Sequence, residues 1–422
     1  MLDLAFIREN ADRVREAIRN KGEKADLDRL LELDAGRRAA VTQFEGLRSE
    51  QNRVSKEIAA RKKSKEDASD LIERMKSVAA EVKERESAVR EIESRLHEQL
   101  IRIPNLPTDD TPIGRSEAEN KLIRTWGQPR RFDFKPKPHW DIAQELDLID
   151  FERAAKISGS HFALFKGDGA RLERALINFM LDVHTAEHGY TEVAPPLIVN
   201  RTTMFSTGQL PKLEEDMYRC DMDDLFLIPT AEAPLTSIPR DEIIEADALP
   251  MRFTAYTPCF RREAGSYGRD TRALMRVHQF DKVELVKIVR PGTSYDELER
   301  LLGNAETILQ RLGLPYRVAQ LCTGELSFAA RKCYDIECWA PGIERWMEVS
   351  SCSNFEAFQA RRANIRFRGE SGKPEFVHTL NGSGVALART VLCLLEHYQR
   401  EDGTVEIPEA LRPWMNGREQ LG

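Results

Sequence analysis

The 422-residue chain lacks any apolar run of the roughly 18 residues that a membrane-spanning helix needs. It also lacks a CxxC pair and any zinc-finger spacing of Cys and His, and its seven cysteines are scattered and odd in number. Reduced thiols in a cytoplasmic setting are therefore expected, with no structural zinc. The opening segment MLDLAFIREN is too polar and acidic for a secretory signal. Internal repeats and low-complexity tracts are missing as well. The composition is that of a soluble globular protein, 41% apolar and 32% charged, long enough for two or three domains. A formal net charge of −7 argues, taken alone, against a nucleic-acid binder, so local placement of charge has to decide.

Proline is missing from residues 27–100 too. Residues 1–25 read as a short helix, with Leu4, Ile7, Val14 and Ile18 as its apolar stripe and Gly22 at its end. Beyond it, Leu30, Leu33, Ala40, Phe44, Leu47, Val54 and Ile58 recur at alternating spacings of three and four, a register that runs on through Arg37, Gln51 and Arg61. Ala68, Leu71, Met75, Val78, Val82, Val89, Ile92 and Leu96 repeat the pattern. Two such registers, joined by a turn within residues 62–67, predict an antiparallel coiled-coil arm over about 27–100 that projects from the rest of the chain, each helix roughly 50 Å long. Its first helix and tip are basic: residues 37–65 hold nine Lys or Arg against three Glu, a net of +6. Arg48, Arg53, Lys56 and Arg61 are the candidates for contact with a nucleic-acid backbone, and an ordinary solvated coiled-coil face is the plainer reading.

Pro104, Pro107, Pro112 and Gly114 mark residues 104–127 as a linker between a helical domain, 1–103, and a larger domain, 128–422. In the larger domain a helix is expected over 171–184, strands over 251–256 and 283–289, and a helix over 295–312 capped by Ser294. Runs of strands with helices, rather than strict alternation, argue for an α+β fold on an antiparallel sheet.

The densest chemistry lies at residues 260–284, FRREAGSYGRDTRALMRVHQFDKVE. Two antiparallel strands joined by its polar, glycine-bearing loop would put Arg261, Glu263, Arg276 and Phe280 around one pocket. Two guanidinium groups, an aromatic plate and a carboxylate suit a nucleotide: charge on phosphate, ring on base, carboxylate on an exocyclic amine. A hairpin with solvated charges is the bland alternative. His278, between strand residues, reads as a hydrogen-bonded structural group with no catalytic role.

This stretch resembles the second signature motif of class II aminoacyl-tRNA synthetases. Residues 189–196, GYTEVAPP, resemble the first motif, and residues 382–389, GSGVALAR, the third, with Ala388 where the family pattern has Glu. The segments TAE at 230–232, WMEVSSCSN at 346–354 and TLNGSG at 379–384 narrow the resemblance to the seryl-tRNA synthetases of the common bacterial type, over nearly the whole chain.

The resemblance implies a class II catalytic domain and a helical tRNA-binding domain in a cytoplasmic homodimer joined through the first motif. It implies ATP-dependent activation of L-serine to seryl-adenylate, then transfer to tRNA(Ser) and, where it exists, tRNA(Sec). Arg261 would hold the α-phosphate and the serine carboxylate, and Arg389 the γ-phosphate, as the catalytic pair. Phe280 would stack on adenine, Glu263 would accept from its amino group, and Arg276 would serve base and phosphates. Arg262, Val277, Val349 and Ser350 would complete the ATP site, and Glu348 and Ser351 would ligate Mg2+. Thr230, Ala231 and Glu232 would take the serine ammonium; Glu284 would accept from its hydroxyl, with Asn381 and Ser383 closing the pocket. The attacking serine carboxylate is already an anion, so positioning and charge neutralisation matter more than a general base. The alternatives are a catalytically inactive paralogue that binds tRNA or regulates, a relative that loads a carrier protein, and a coiled-coil interaction module. The intact Arg261, Glu263, Glu284, Glu348 and Arg389 count against the first, the long arm against the second, and the motifs against the third.

Overall fold

The computed structural model describes residues 1–264, 272–369 and 372–422. The loop of the second motif, residues 265–271, lies outside the described residues. The chain forms two compact units, one built from Leu2–Arg19 and Glu23–Pro104, the other essentially from Asn105–Gly422.

In the first unit, helices Leu4–Glu9 and Ala11–Asn20 replace the single helix expected over 1–25. The break falls at Asn10, whose side-chain amide donates at 3.0 Å to the same Phe6 carbonyl as its backbone N–H, a local competitor to the helical ladder. The hairpin follows as Leu27–Lys63 and Ser69–Leu100. Asp26 starts its first helix by accepting from the Arg29 N–H at 2.9 Å. The turn sits at residues 64–68, slightly later than the charge run indicates. Leu30 and Val54 are fully buried, and Leu71, Val78 and Leu96 nearly so, which is the seam the heptads describe. Arg37 with Glu93 at 3.1 Å, Arg61 with Asp70 at 3.0 Å, and Arg74 with Glu50 pair across the two helices. At the base, buried Asp34 is held by Arg8 at 3.1 Å and Arg38 at 3.3 Å.

The second unit is α+β. Its eight-stranded sheet runs Lys121–Trp126, Tyr316–Gln320, Lys332–Ala340, Arg345–Glu356, His378–Ala386, Gln279–Val289, Met251–Phe260, Thr191–Glu192. Every neighbouring pair is antiparallel except the last, where Thr191 lies beside Phe253. Helices Asp168–Ala186, Ser294–Arg311 and Leu387–Tyr398 bury Leu176, Met180, Leu301, Leu302, Leu392 and Leu395 in one core with the sheet. Strand Gln279–Val289 is buried from Lys282 onward, so its apolar run is nearly continuous. The charges it carries there must be paired. Lys287 meets Glu297 at 2.9 Å, and Lys282 meets Glu284.

Two local expectations are corrected. Residues 105–127 are not a free linker: Lys121–Trp126 is an edge strand, and buried Asn105 donates to the carbonyls of Ala329 and Phe355, both at 2.9 Å. The prolines disfavour an α-helix at 104–112 but say nothing of the proline-free stretch after them, which forms the strand. Ser294 is the first residue of its helix rather than the cap, because its hydroxyl accepts from Asn354 at 3.1 Å and also bonds His378. Among the described residues, no helix is long and apolar enough to cross a membrane.

Candidate active site

A cavity of about 350 Å³ opens on the sheet where the strands carrying Phe280, Glu348 and Ser383 lie side by side. One wall presents Arg261, Glu263, Arg276, Val277 and Phe280. Pairing of Met251–Phe260 with Gln279–Val289 sets Cys259 opposite Phe280 and so turns the hairpin end into the cavity. The Arg261 guanidinium lies 5.1 Å from the centre of the Phe280 ring, so positive charge and aromatic face form one surface. The His278 carbonyl accepts from the Arg261 backbone N–H at 2.8 Å, and the His278 Nδ1 donates to the Arg261 carbonyl at 2.9 Å, which fixes where that guanidinium starts. Arg276 and Glu263 form an ion pair beside it. Opposite, Arg389 donates to the Glu348 carbonyl at 2.8 Å and to its carboxylate at 3.1 Å.

Glu348 and Ser351 stand three apart on one strand, a spacing that in regular pleat puts them on opposite faces. Here both line the cavity, with Val349 between them. The reason is an irregularity in pairing: Ile336 faces Ser350 while the next residue, Glu337, faces Glu348, leaving Val349 extra. Such a bulge re-aims side chains by one position. A second one lies between Ser383 and Val385 and lets Asn381, Ser383 and Ala386 share the cavity.

The deep end is polar and almost fully buried. Thr230 and Glu232 stand at the start of the short helix Glu232–Thr236, 6% and 8% exposed. The Thr230 hydroxyl donates to Glu284 Oε2 at 2.9 Å and accepts from Lys282 Nζ at 2.8 Å and from the Glu232 N–H at 3.2 Å. Its single proton and both lone pairs are therefore occupied. Asn381 donates to Glu284 Oε1 at 2.8 Å. Gln359 donates to Glu232 Oε1 at 2.7 Å and is itself held by Thr379. Burial pushes the Glu232 carboxyl up to about 7, with the Glu284 charge adding to it, against the Gln359 hydrogen bond and the nearby Lys282 and Arg261.

Several residues expected at the site are placed otherwise. Glu284 is fully buried behind Thr230, Lys282 and Asn381 instead of lining the cavity. Arg262 turns away and donates to the Glu215 carbonyl at 3.0 Å. Ser350 faces into the sheet and donates to the Ser383 carbonyl at 2.6 Å. Ala231 is buried in the apolar core. Strand alternation explains Ser350, which lies between two residues that do face the cavity, whereas Arg262 lies beyond the end of its strand and is turned away by its bond to Glu215. The saturated Thr230 hydroxyl has no acceptor left for an ammonium, which leaves Glu232. In the arm, Arg61 is tied to Asp70, Arg53 lies 3.9 and 4.0 Å from Glu50 and Glu57, Arg48 lies over Phe44, and Lys56 is exposed.

Lys282 and Gln359 went unnoticed in the sequence. Lys282 could have been found: it stands two residues before Glu284 and so shares its strand face. For a metal, Glu348 and Ser351 offer one carboxylate and one hydroxyl to the same cavity. That set suits Mg2+ shared with phosphate oxygens, since this ion is usually held by one or two carboxylates plus substrate. Among the described residues, no group of three or more His, Cys, Asp or Glu could form an all-protein cage.

Comparison with known proteins agrees with this geometry. Residues 1–107 match the model of the seryl-tRNA synthetase N-terminal domain, and residues 216–398 that of the tRNA synthetase class II core domain (G, H, P, S and T). The chain is 54% identical over 423 residues to the serine–tRNA ligase of Geobacter sulfurreducens and 56% identical to that of Geobacillus kaustophilus, in each case covering all of both chains. Among solved structures, the seryl-tRNA synthetase of Pyrococcus horikoshii complexed with ATP is similar with a TM-score of 0.94 and 38% identity, over 100% of this chain and 99% of that one. Helical hairpin, antiparallel sheet, two-arginine cavity and these full-length relatives lead to one conclusion: the chain belongs to the seryl-tRNA synthetases of class II.

Proposed function

We propose that the cavity activates L-serine with ATP and then passes the seryl group to tRNA(Ser). In the first step a serine carboxylate oxygen attacks the α-phosphorus, the bond to the bridging oxygen breaks, and diphosphate leaves with that electron pair. In the second, a ribose hydroxyl at the tRNA end attacks the acyl carbon and AMP departs. The observation that carries this reading is the junction of an arginine-and-aromatic wall with a buried carboxylate end in a single cavity. Arg261 neutralises the α-phosphate and aligns the serine carboxylate, Arg389 takes the terminal phosphate, and Phe280 takes the adenine face. Glu263 and Arg276 separate from one another to meet base and phosphate. Val277, Val349 and the backbone at Arg262 and Ser350 complete the nucleotide wall. Preorganised charge of this kind acts mainly on the transition state. Glu348 and Ser351 would hold Mg2+ against the phosphates, where it would neutralise developing negative charge. At the deep end Glu232 takes the ammonium, oriented by Thr230 and the Ala231 backbone, while Glu284 with Asn381 and Ser383 reads the hydroxyl.

The basic arm helix is read as the tRNA grip, with Arg48 and Lys56 the two of its four candidates that form no ion pair among the described residues, and tRNA(Sec) as a second substrate where that tRNA exists. A homodimer is part of the same reading. Exposed Leu197 and Ile198, next to the first-motif prolines, supply apolar surface for it. The reaction is placed in the cytoplasm with its tRNA and ATP. Serine-dependent exchange of labelled diphosphate into ATP tests the activation step directly. Its absence in folded, Mg2+-supplied protein would leave an inactive paralogue as the better description.

A further inference from the structure

Lys282 has no role in the reading above, yet its position is costly. It is 6% exposed, lies on the cavity wall, and forms an ion pair with Glu284, which is fully buried. Ion pairs this deep are poor stabilisers: apolar replacements are often as stable, because two desolvated charges recover little more than they lose. Their use is more often in holding one state of a site. The hydrogen bonds here say which state. Glu284 Oε2 accepts from Lys282 and from Thr230 at 2.9 Å, and Oε1 accepts from Asn381 at 2.8 Å. A carboxylate has about four acceptor positions, so one, on Oε1, is left. Lys282 has three N–H donors; Glu284 Oε2 and the Thr230 hydroxyl at 2.8 Å take two, and the third has no partner among the described residues. A hydroxyl group needs one acceptor for its proton and can take one donor on its oxygen. The pair offers one of each: the Lys282 donor on the cavity wall, and the Glu284 lone pair in the fully buried layer behind it.

Resting on the proposed serine site, we infer that Lys282 is a specificity-determining residue that works with Glu284 as one hydroxyl-reading unit. Glu284, uncovered as serine enters, accepts the hydrogen bond of the substrate hydroxyl, while Lys282 saturates its other oxygen and faces the hydroxyl oxygen. Thr230 locks the pair in one direction, since its own proton can only go to Glu284 while Lys282 donates to it. Alanine, lacking the hydroxyl, would leave the free N–H and the free lone pair both unmatched, which is how buried polar groups reject an analogue.

The test measures diphosphate exchange with serine and with alanine. Wild-type protein must first show serine-dependent exchange; if it does not, the site assignment itself falls and Lys282 is not at issue. In Lys282→Met the serine KM should rise by about tenfold or more and the serine-over-alanine preference should drop by at least about tenfold, with the ATP KM unchanged. Lys282→Met combined with Glu284→Gln, which removes both buried charges, should show the same preference as Glu284→Gln alone, because members of one unit are not additive. A folded Lys282→Met enzyme with unchanged preference overturns the inference and leaves Lys282 as a structural counter-ion. Preference losses that simply multiply in the double variant also overturn it. If Lys282→Met has no melting transition, Lys282→Gln decides, since its shorter, uncharged amide has two N–H donors where Glu284, Thr230 and the substrate need three: a preference reduced by about tenfold supports the inference, and an unchanged one defeats it.

Discussion

Arg37 and Glu93 face each other across the arm at 3.1 Å with side chains 36% and 45% exposed, whereas Lys282 and Glu284 form the same kind of pair at 7% and 0%. In the arm, water competes for both partners, salt screens them, and long side chains lose freedom on pairing. Such charges are available to a third party at little cost. In the cavity wall, burial leaves a lost partner costly to replace, so each charge is bound to its place. The arm thus suits a long, adaptable polyanion held by many weak contacts, and the cavity a small ligand held by a few strict ones.

Separating the two regions gives the largest expected effect. Replacing residues 30–96 by a short glycine-rich linker should abolish charging of tRNA at physiological salt while leaving serine-dependent diphosphate exchange intact. An armless enzyme that charges tRNA normally would remove the distinction between the regions. Next comes the cavity alone. Arg261→Ala or Arg389→Ala should reduce exchange by roughly 100-fold or more without unfolding the protein, as loss of a preorganised transition-state contact does. Near-normal exchange in both variants would show that the phosphates lie elsewhere.

A third prediction uses Glu232. Its carboxyl titrates near 7 in the free protein because burial outweighs its hydrogen bond. A substrate ammonium favours the charged form, so below that pH a proton must leave before serine binds. The serine KM should therefore rise as pH falls from about 8 to 6, approaching tenfold per unit at the acid end. Glu232→Gln should bind serine more weakly and show no such slope; a pH-independent KM in the wild type contradicts the assignment. Neutralising Arg48, Arg53, Lys56 and Arg61 together should flatten the salt dependence of tRNA binding, each lost contact being worth up to about 0.9 log unit on a duplex. Because Arg61 and Arg53 already have acidic neighbours, fewer than four contacts should be lost. The smallest effect is Arg37→Ala, expected to destabilise the hairpin by only about 0.2–1 kcal/mol in chemical denaturation. A loss of several kcal/mol would mean that the arm pairs behave like the cavity pairs.

Much of this was legible from residue order. The heptads placed Leu30, Val54, Leu71 and Leu96 in the hairpin seam, where they are buried. The second motif brought Arg261, Glu263, Arg276 and Phe280 to one cavity because a two-strand hairpin is a local object. What stayed hidden depends on distant pairing. No local pattern shows that Val349 is the extra residue that swings Glu348 and Ser351 to one side. Gln359 reaches Glu232 from 127 positions away. The Thr230 hydroxyl looks like a free ligand until its three partners are counted. The prolines at 104–112 leave the stretch after them open as linker or as edge strand, and only pairing with Tyr316–Gln320 separates the two.

The ring of hydrogen bonds through Lys282, Thr230 and Glu284, with Asn381 joined to it at Glu284, also bears on how such an enzyme can change over generations. Each member satisfies another that comes from a distant part of the chain. Replacing any one orphans a buried group, at about 1–3 kcal/mol apiece, before a different amino acid gains anything. A lineage drifting toward a new substrate would cross a valley of weakened intermediates, and only simultaneous changes on several strands would bridge it. Closed rings of this kind make amino-acid identity a conservative trait, resistant to single mutations even when the surrounding surface diverges freely.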